Sequence, residues 1–278
     1  MPVNDVADDR TAAADAPARG GIPAQVLDGD ASGDGRVKRA YVRGIFSQIA
    51  PRYDLLNHLL SLNIDRSWRR RALAKLQWTQ RPRGVYLDLC AGTLDVAAAL
   101  AMQPGFAGAV VGADFAEAML RAGADKGPRD RVLPTAADAL ELPLRDASVA
   151  GAIVAFGVRN VANLDAALRE VHRVLQPDAR LVILEFTTPR QPVIRALYRF
   201  YFHRVLPVVG GVVSGHPTAY RYLPRSVAGF PPEEELAARL QASGFTGVEW
   251  TTLSFGIAAI HVGQKAPAGA RRTEPTRS

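Results

Sequence analysis

The 278-residue chain contains one cysteine, Cys90. A single thiol excludes a disulfide framework and any cysteine-based zinc site, and it suits a reducing compartment. The five histidines (His58, His172, His203, His216 and His261) show no metal-ligand spacing, so none is assigned a role and no metal is expected. No stretch of 18 apolar residues escapes interruption by charge, proline or glycine, which argues against a membrane-spanning helix. The N-terminus has no basic run followed by an apolar one, so no signal peptide is expected and the localisation expected is cytoplasmic. Acidic residues are missing altogether from 190–225, which hold six arginines.

What is present is 48% hydrophobic and 22% charged, with a net charge of +7. That suffices for one sizeable core. The charge is uneven. Residues 37–83 carry 11 Lys and Arg against 2 acids, while 84–189 carry 9 against 13. Two basic segments therefore flank an acidic middle, as a solvated surface or as a face for anionic membrane, nucleic acid or an acidic substrate. Residues 1–36 and 266–278 are poor in large apolar side chains and read as disordered tails. Residues 37–83 read as an N-terminal helical lid segment, and 84–265 as one catalytic domain.

Apolar periodicity predicts strands over 85–90, 109–113, 132–136, 149–156, 180–186, 247–253 and 256–262. Helices are predicted over 94–102, 116–124, 164–175, 193–206 and 233–243. Continuous apolar strands alternating with helices imply a mostly parallel, doubly wound α/β sheet covered on both faces. The short link at Ser254-Phe255 allows only an antiparallel pair at the end. That is the Rossmann-like, class I methyltransferase variant of the fold.

The run Asp88-Leu89-Cys90-Ala91-Gly92-Thr93-Leu94-Asp95 lies where the first strand turns into its helix, the place where such sheets bind ligands. A pyrophosphate site would need more glycine here. This loop has one glycine, acids at Asp88 and Asp95, and no Lys or Arg. It suits a ligand with no phosphate and a cationic end, such as S-adenosylmethionine. The competing reading is a tight turn with Asp95 placed for the helix dipole. Asp114, 26 positions after Asp88, ends the second strand and can accept ribose hydroxyls. Asp138-Ala139 follows the third strand, where a carboxylate or amide can accept an adenine amino group.

Four blocks together make the chain resemble the ubiquinone/menaquinone biosynthesis C-methyltransferases, from about Val42 to Lys265. They are Tyr53-Asp54-Leu55-Leu56-Asn57-His58-Leu59-Leu60-Ser61 with Arg66 and Trp68; the loop 88–95; Phe156-Gly157-Val158-Arg159-Asn160-Val161; and Ala219-Tyr220-Arg221-Tyr222-Leu223 with Ser226. The resemblance implies methyl transfer from S-adenosylmethionine to a ring carbon of a polyprenylated quinol precursor, either a demethylmenaquinol or a benzoquinol. It implies cofactor contacts at Thr93, Asp114, Asp138 and Ala139, to which the loop's own chemistry adds Asp88, Gly92 and Asp95. Arg159 and Asn160 are the catalytic candidates, and Tyr53, Asn57, Tyr220 and Tyr222 the candidates on the substrate side. Three departures stand out. Leu94 replaces a usual glycine, Ala155 a frequent serine, and Asn63 and Asp65 a usual Gly and His. Leu94 fits without strain if it is already helical, and crowds the cofactor if the cofactor approaches there.

The reaction needs a ring activated by loss of a hydroxyl proton in a dry pocket. Arg159 is expected near the methyl, stabilising the phenolate directly or through a water, with Asn160 orienting it. A structural clamp on nearby carbonyls is the other reading of Arg159. In 193–213, Arg195, Arg199 and His203 recur every four residues beside Arg204. That pattern fits a helix resting on anionic lipid, a lid over an apolar pocket, or a core helix with a basic edge. Nucleic acid is not expected, since the basic segments lack interleaved aromatics and the fourth strand ends in Phe-Gly-Val-Arg rather than Asn-Pro-Pro-Tyr. Two alternatives stay open: an enzyme of the same fold acting on another lipid or phenolic compound, and a non-catalytic quinone-binding or protein-binding relative. Oligomeric state, a homodimer included, is open.

Overall fold

A computed structural model describes residues 35–54, 61, 63–205, 208 and 217–269. The helices are α1 (Gly35–Ile49), α2 (Ile64–Lys75), α3 (Asp95–Ala101), α4 (Glu117–Gly123), α5 (Leu164–Val174), α6 (Pro192–Phe200), α7 (Pro217–Ala228) and α8 (Glu233–Ala242). The strands are β1 (Val85–Leu89), β2 (Ala109–Asp114), β3 (Val132–Ala136), β4 (Gly151–Ala155), β5 (Arg180–Phe186), β6 (Phe245–Leu253) and β7 (Ala258–Lys265). They form one sheet in the order β3-β2-β1-β4-β5-β7-β6. Strands β1 to β5 pair in parallel, and β7 runs antiparallel to both β5 and β6.

The apolar runs are continuous because both faces of the sheet are covered. Along β5, Leu181 and Ile183 enter one core with Leu168 and Val171 of α5 and Leu236 and Leu240 of α8. Val182 and Leu184 enter the other, with Trp68 and Leu73 of α2 and Leu100 of α3. The strand order reverses between β1 and β4, so their carboxyl ends open a crevice. Helix α1 lies over that end of the sheet. Its Val42, Ile45 and Ile49 pack with Tyr222 of α7, and Ala50 just beyond it packs on Met119 of α4.

Several boundaries differ from expectation for local reasons. The third helix starts at Asp95 because Leu94 is left-handed, with φ 64°. The fourth strand is confined to Gly151–Ala155; Val149 makes only an isolated bridge to Leu175, and Phe156 is left-handed. The helix expected over 193–206 ends at Phe200 and continues as a π-helical turn, Tyr201–Val205. Leu206 lies outside the described residues. The last strand begins at Ala258 rather than Gly256, because Ser254–Gly256 forms a 3-10 turn with Phe255 left-handed.

Candidate active site

The loop after β1 is wound tightly. Cys90, Gly92 and Leu94, alternate residues, all have positive φ. Only the glycine does so without steric cost, a concentration of backbone strain usual at ligand sites. The Leu94 side chain is fully buried and turns into the core rather than toward the crevice. It occupies space left by Gly112 on β2, where a Cβ would stand 2.3 Å from Leu94 Cδ2. Leu94 is thus neither helical nor in the path of a ligand. The Asp114 carboxylate holds the loop's inner edge, accepting N–H bonds from Gly92 (2.9 Å) and Ala116 (2.8 Å). Burial raises its pKa against those two hydrogen bonds.

Around this edge lies a cavity of about 50 Å³, lined by Gly92, Asp114, Asp138, Ala139 and Asn160 together with Phe46 and Tyr53. Arg39 is its one cationic lining residue among the described residues, and the Arg39 guanidinium donates to Asp138 Oδ2. Beside it, Lys38 Nζ donates to the Val161 carbonyl at 2.9 Å. Helix α1 therefore bars the cavity mouth through two cations. Cys90 is also on the wall, its thiol pushed up in pKa by burial and then by neighbouring carboxylates, so it stays protonated.

Asp88, Thr93 and Asp95 sit behind this wall rather than on it. Asp88 is buried and accepts the Ala97 N–H at 2.9 Å. It supplies the cap of α3 that Leu94 lacks a side-chain oxygen to provide. Burial pushes Asp88 up to about 7. The Thr93 hydroxyl donates to Asp54 Oδ1 at 2.5 Å. Asp95 binds Arg69 at 2.7 Å and Lys126 at 2.5 Å, and Lys126 also reaches Asp54 at 2.5 Å. The loop 88–95 is thereby tied to the segments on either side of residues 55–60.

A second cavity, of about 440 Å³, is predominantly apolar. It lies among Trp68, Phe156, Phe186, Tyr198, Phe202 and Ile257, and shares Phe46, Tyr53 and Phe156 with the first. Arg159 lines this larger cavity rather than the small one, whereas Asn160 lines the small one. Sequence reasoning passed over the partner that matters most, Glu185, which is 1% exposed. Arg159 Nη1 donates to Glu185 Oε1 at 2.7 Å and to the Phe156 carbonyl, and Nε reaches Ser226 Oγ at 3.4 Å. Nη2 makes no hydrogen bond among the described residues, which leaves it for the cavity. Burial raises the Glu185 pKa and Arg159 opposes that rise. The signal was available: Glu185 is an acid near the carboxyl end of a strand, like the three that were read.

Tyr53 lines both cavities, and Tyr222 lines the larger one while its hydroxyl donates to Asn160 Oδ1 at 3.1 Å. Asn57 and the side chain of Tyr220 lie outside the described residues. Arg195 folds back onto the carbonyls of Pro189 and Arg190. Beside the exposed Arg195 and Arg199, α6 also presents Val193, Leu197 and Phe200, all more than 60% exposed. Phe255, 81% exposed, stands with Leu197 at the rim of the large cavity.

Comparison with known proteins places this geometry. Residues 35–265 match the model of the ubiE/COQ5 methyltransferase family. A demethylmenaquinone methyltransferase of Thermus thermophilus is 49% identical over 226 residues, 80% of this chain and 100% of that one. A ubiquinone/menaquinone biosynthesis C-methyltransferase of Geobacter sulfurreducens is 43% identical over 228 residues, 81% of this chain and 88% of its own. Among solved structures, a SAM-dependent methyltransferase of Thermotoga maritima superposes with a TM-score of 0.52 at 20% identity, over 80% of this chain and 98% of that one. That last likeness is one of fold.

Proposed function

The chain belongs to the ubiE/COQ5 methyltransferase family, and on that premise we propose that it methylates a ring carbon of a polyprenylated quinol, demethylmenaquinol first among candidates, using S-adenosylmethionine. The observation that carries the reading is the common wall of Phe46, Tyr53 and Phe156 between a small polar cavity and a large apolar one. A methyl donor and a lipid-like acceptor need such adjoining sites, because transfer requires the reacting atoms in near contact.

The residues present fit the donor. The small cavity offers carboxylates at Asp114 and Asp138 and backbone groups at Gly92 and Ala139, with no phosphate-binding cation in its loop. When bound, S-adenosylmethionine supplies an electrophilic methyl on a cationic sulfur. Asp114 would accept ribose hydroxyls, and Asp138 with Ala139 would hold the adenine edge. Because Arg39 already occupies Asp138, α1 must release it before a base can pair there.

On the acceptor side, the quinol must lose a hydroxyl proton, to a water beside Arg159, before the adjacent carbon becomes nucleophilic. That carbon gives its own proton to water once the methyl bond has formed. Arg159 remains protonated and serves as the cation beside that oxygen, presenting Nη2 while Glu185 and the Phe156 carbonyl fix its plane. Asn160, held by Tyr222, lies on the donor side of the same short turn, Val158–Asn160. The apolar wall excludes water and so strengthens each of these interactions.

The tail of such a substrate lies in a bilayer. Among the described residues no helix is long and apolar enough to cross one. The exposed apolar face of α6 and the Phe255 turn, at the rim of the large cavity and near the exposed Arg199 and Arg204, suit peripheral docking on an anionic leaflet. The experiment is to incubate the protein with methyl-labelled S-adenosylmethionine, reductant, and demethylmenaquinol and the demethylated benzoquinol side by side. One label on a ring carbon is the expected mass-spectrometric result, with the naphthoquinol preferred. Cofactor binding without product on either ring would redirect the reading to another lipid or phenol. No cofactor binding at all would refute the enzyme.

A further inference from the structure

The large cavity is walled in part by aromatic rings in mutual contact. Phe186 lies against Phe156, centroids 4.6 Å apart, and meets Phe202 edge-on at 6.0 Å. Tyr198 stacks on Phe202, with ring centroids 4.1 Å apart and planes 30° from parallel. The Arg159 guanidinium carbon stands 5.6 Å from the centroid of Phe186. The Phe186–Phe202 pair is therefore bracketed, by Arg159 on one ring and Tyr198 on the other, and all four residues line the cavity.

Tyr198 is the one buried residue of α6, 9% exposed, and its ring packs with Phe202 and Val227. The hydroxyl is covered as well, yet it makes no hydrogen bond among the described residues. By contrast, the hydroxyl of Tyr222 on the same wall donates to Asn160 Oδ1 at 3.1 Å. A buried phenol without a partner carries a desolvation cost that phenylalanine would avoid while filling the same space. Packing accounts for the ring, but no partner among the described residues accounts for the oxygen. Burial pushes the Tyr198 phenol well above its usual pKa; Arg159 opposes that rise and Glu185 adds to it. The group therefore stays a hydrogen-bond donor at neutral pH, within the field of the Arg159–Glu185 pair.

We propose that Tyr198 is a catalytic residue of this site, its hydroxyl donating to the quinol oxygen that ionises beside Arg159. The inference rests on the quinol reading above. Arg159 offers that oxygen a cation through Nη2, and Tyr198 offers it a neutral O–H from the α6 side. As the hydroxyl proton leaves to water, negative charge builds on the oxygen. Both donors then hold it more strongly than they hold the neutral quinol. No other hydrogen bond has to break first, since the Tyr198 hydroxyl makes none among the described residues. An interaction that strengthens toward the transition state raises turnover more than it raises affinity.

The test is Tyr198→Phe, which removes the oxygen and keeps the ring. Three quantities are compared with wild type: unfolding in a denaturant titration, S-adenosylhomocysteine affinity by calorimetry, and single-turnover methyl transfer. The acceptor is a short-prenyl demethylmenaquinol under anaerobic, reducing conditions. The variant is expected to be at least as stable as wild type, because no hydrogen bond of the fold is lost. S-adenosylhomocysteine affinity should stay at the wild-type value. The single-turnover rate should fall about a hundredfold, the worth of one donor to a developing oxyanion. The half-saturating quinol concentration should shift by less than about threefold. A variant that is less stable, or that does not fold, would overturn the proposal, since the hydroxyl would then have its partner within the protein. A rate loss under about tenfold would overturn it too, as would a loss of S-adenosylhomocysteine affinity matching the loss of rate. Each of these leaves the quinol reading standing. Wild type that binds S-adenosylhomocysteine and transfers no methyl to the quinol would overturn both.

Discussion

The two cavities that meet at Phe46, Tyr53 and Phe156 are built in opposite ways. The small one is made of strand ends: Gly92 after β1, Asp114 on β2, Asp138 after β3 and Asn160 after β4 are brought level by parallel register alone. The large one is assembled from distant pieces: α1, α2, the end of β5, α6, α7 and the β6–β7 turn. The first uses carboxylates and backbone N–H groups, while the second sets paired charges in a largely apolar wall. A site made by sheet topology tolerates loss of one side chain as a loss of affinity. A site in which buried charges are matched across the fold tolerates it as a loss of the fold itself.

The largest expected effect therefore belongs to the large cavity. Glu185→Ala strands the Arg159 guanidinium, 7% exposed, and should lower unfolding free energy by about 3–5 kcal/mol in a denaturant titration. A drop under about 1 kcal/mol, as for an exposed pair, would erase the contrast. Next comes the back of the small cavity. Leu94→Ala relieves none of the left-handed strain and empties the space over Gly112, so unfolding should fall by about 2–5 kcal/mol. Asp114→Asn keeps the shape of the strand end and removes the charge. S-adenosylhomocysteine affinity measured by calorimetry should weaken about tenfold or more, roughly 1.5–3 kcal/mol, with little change in stability. The smallest effect has the opposite sign. Arg39 and Asp138 are 40% and 31% exposed, so Arg39→Ala should tighten cofactor binding only a few-fold, under about 1 kcal/mol. Weaker binding in that variant would mean that Arg39 holds the ligand rather than the closed mouth.

The contrast also explains what could be read from the chain. Asp114 and Asp138-Ala139 were legible because a strand end in a parallel sheet has a fixed neighbour. So was the antiparallel β6–β7 pair, since a link as short as the one at Ser254-Phe255 permits nothing else. Leu94 was misjudged in conformation, because Gly112, the residue that makes room for it, is 18 positions away. The ion pairs of Asp95 were not legible, because Arg69 and Lys126 come from α2 and from beyond α4. Glu185 shows as an acid near a strand's carboxyl end, but its partner Arg159 stands 26 positions earlier. The basic stripe of 195–204 was visible, but not that Arg195 would fold back onto carbonyls and leave Val193, Leu197 and Phe200 outermost. Periodicity shows which residues share a helix face, and only packing shows which face is covered.

The measurement that bears most directly on the common wall is a nuclear Overhauser experiment on the ternary complex. Methyl-13C S-adenosylmethionine would be bound together with oxidised demethylmenaquinone, which lacks the nucleophilic ring and does not react. Two cavities sharing Phe46, Tyr53 and Phe156 predict a cross-peak between the labelled methyl and the unsubstituted ring proton of the quinone. Both ligands bound with no such cross-peak would contradict the account, because the apolar cavity would then not open onto the donor.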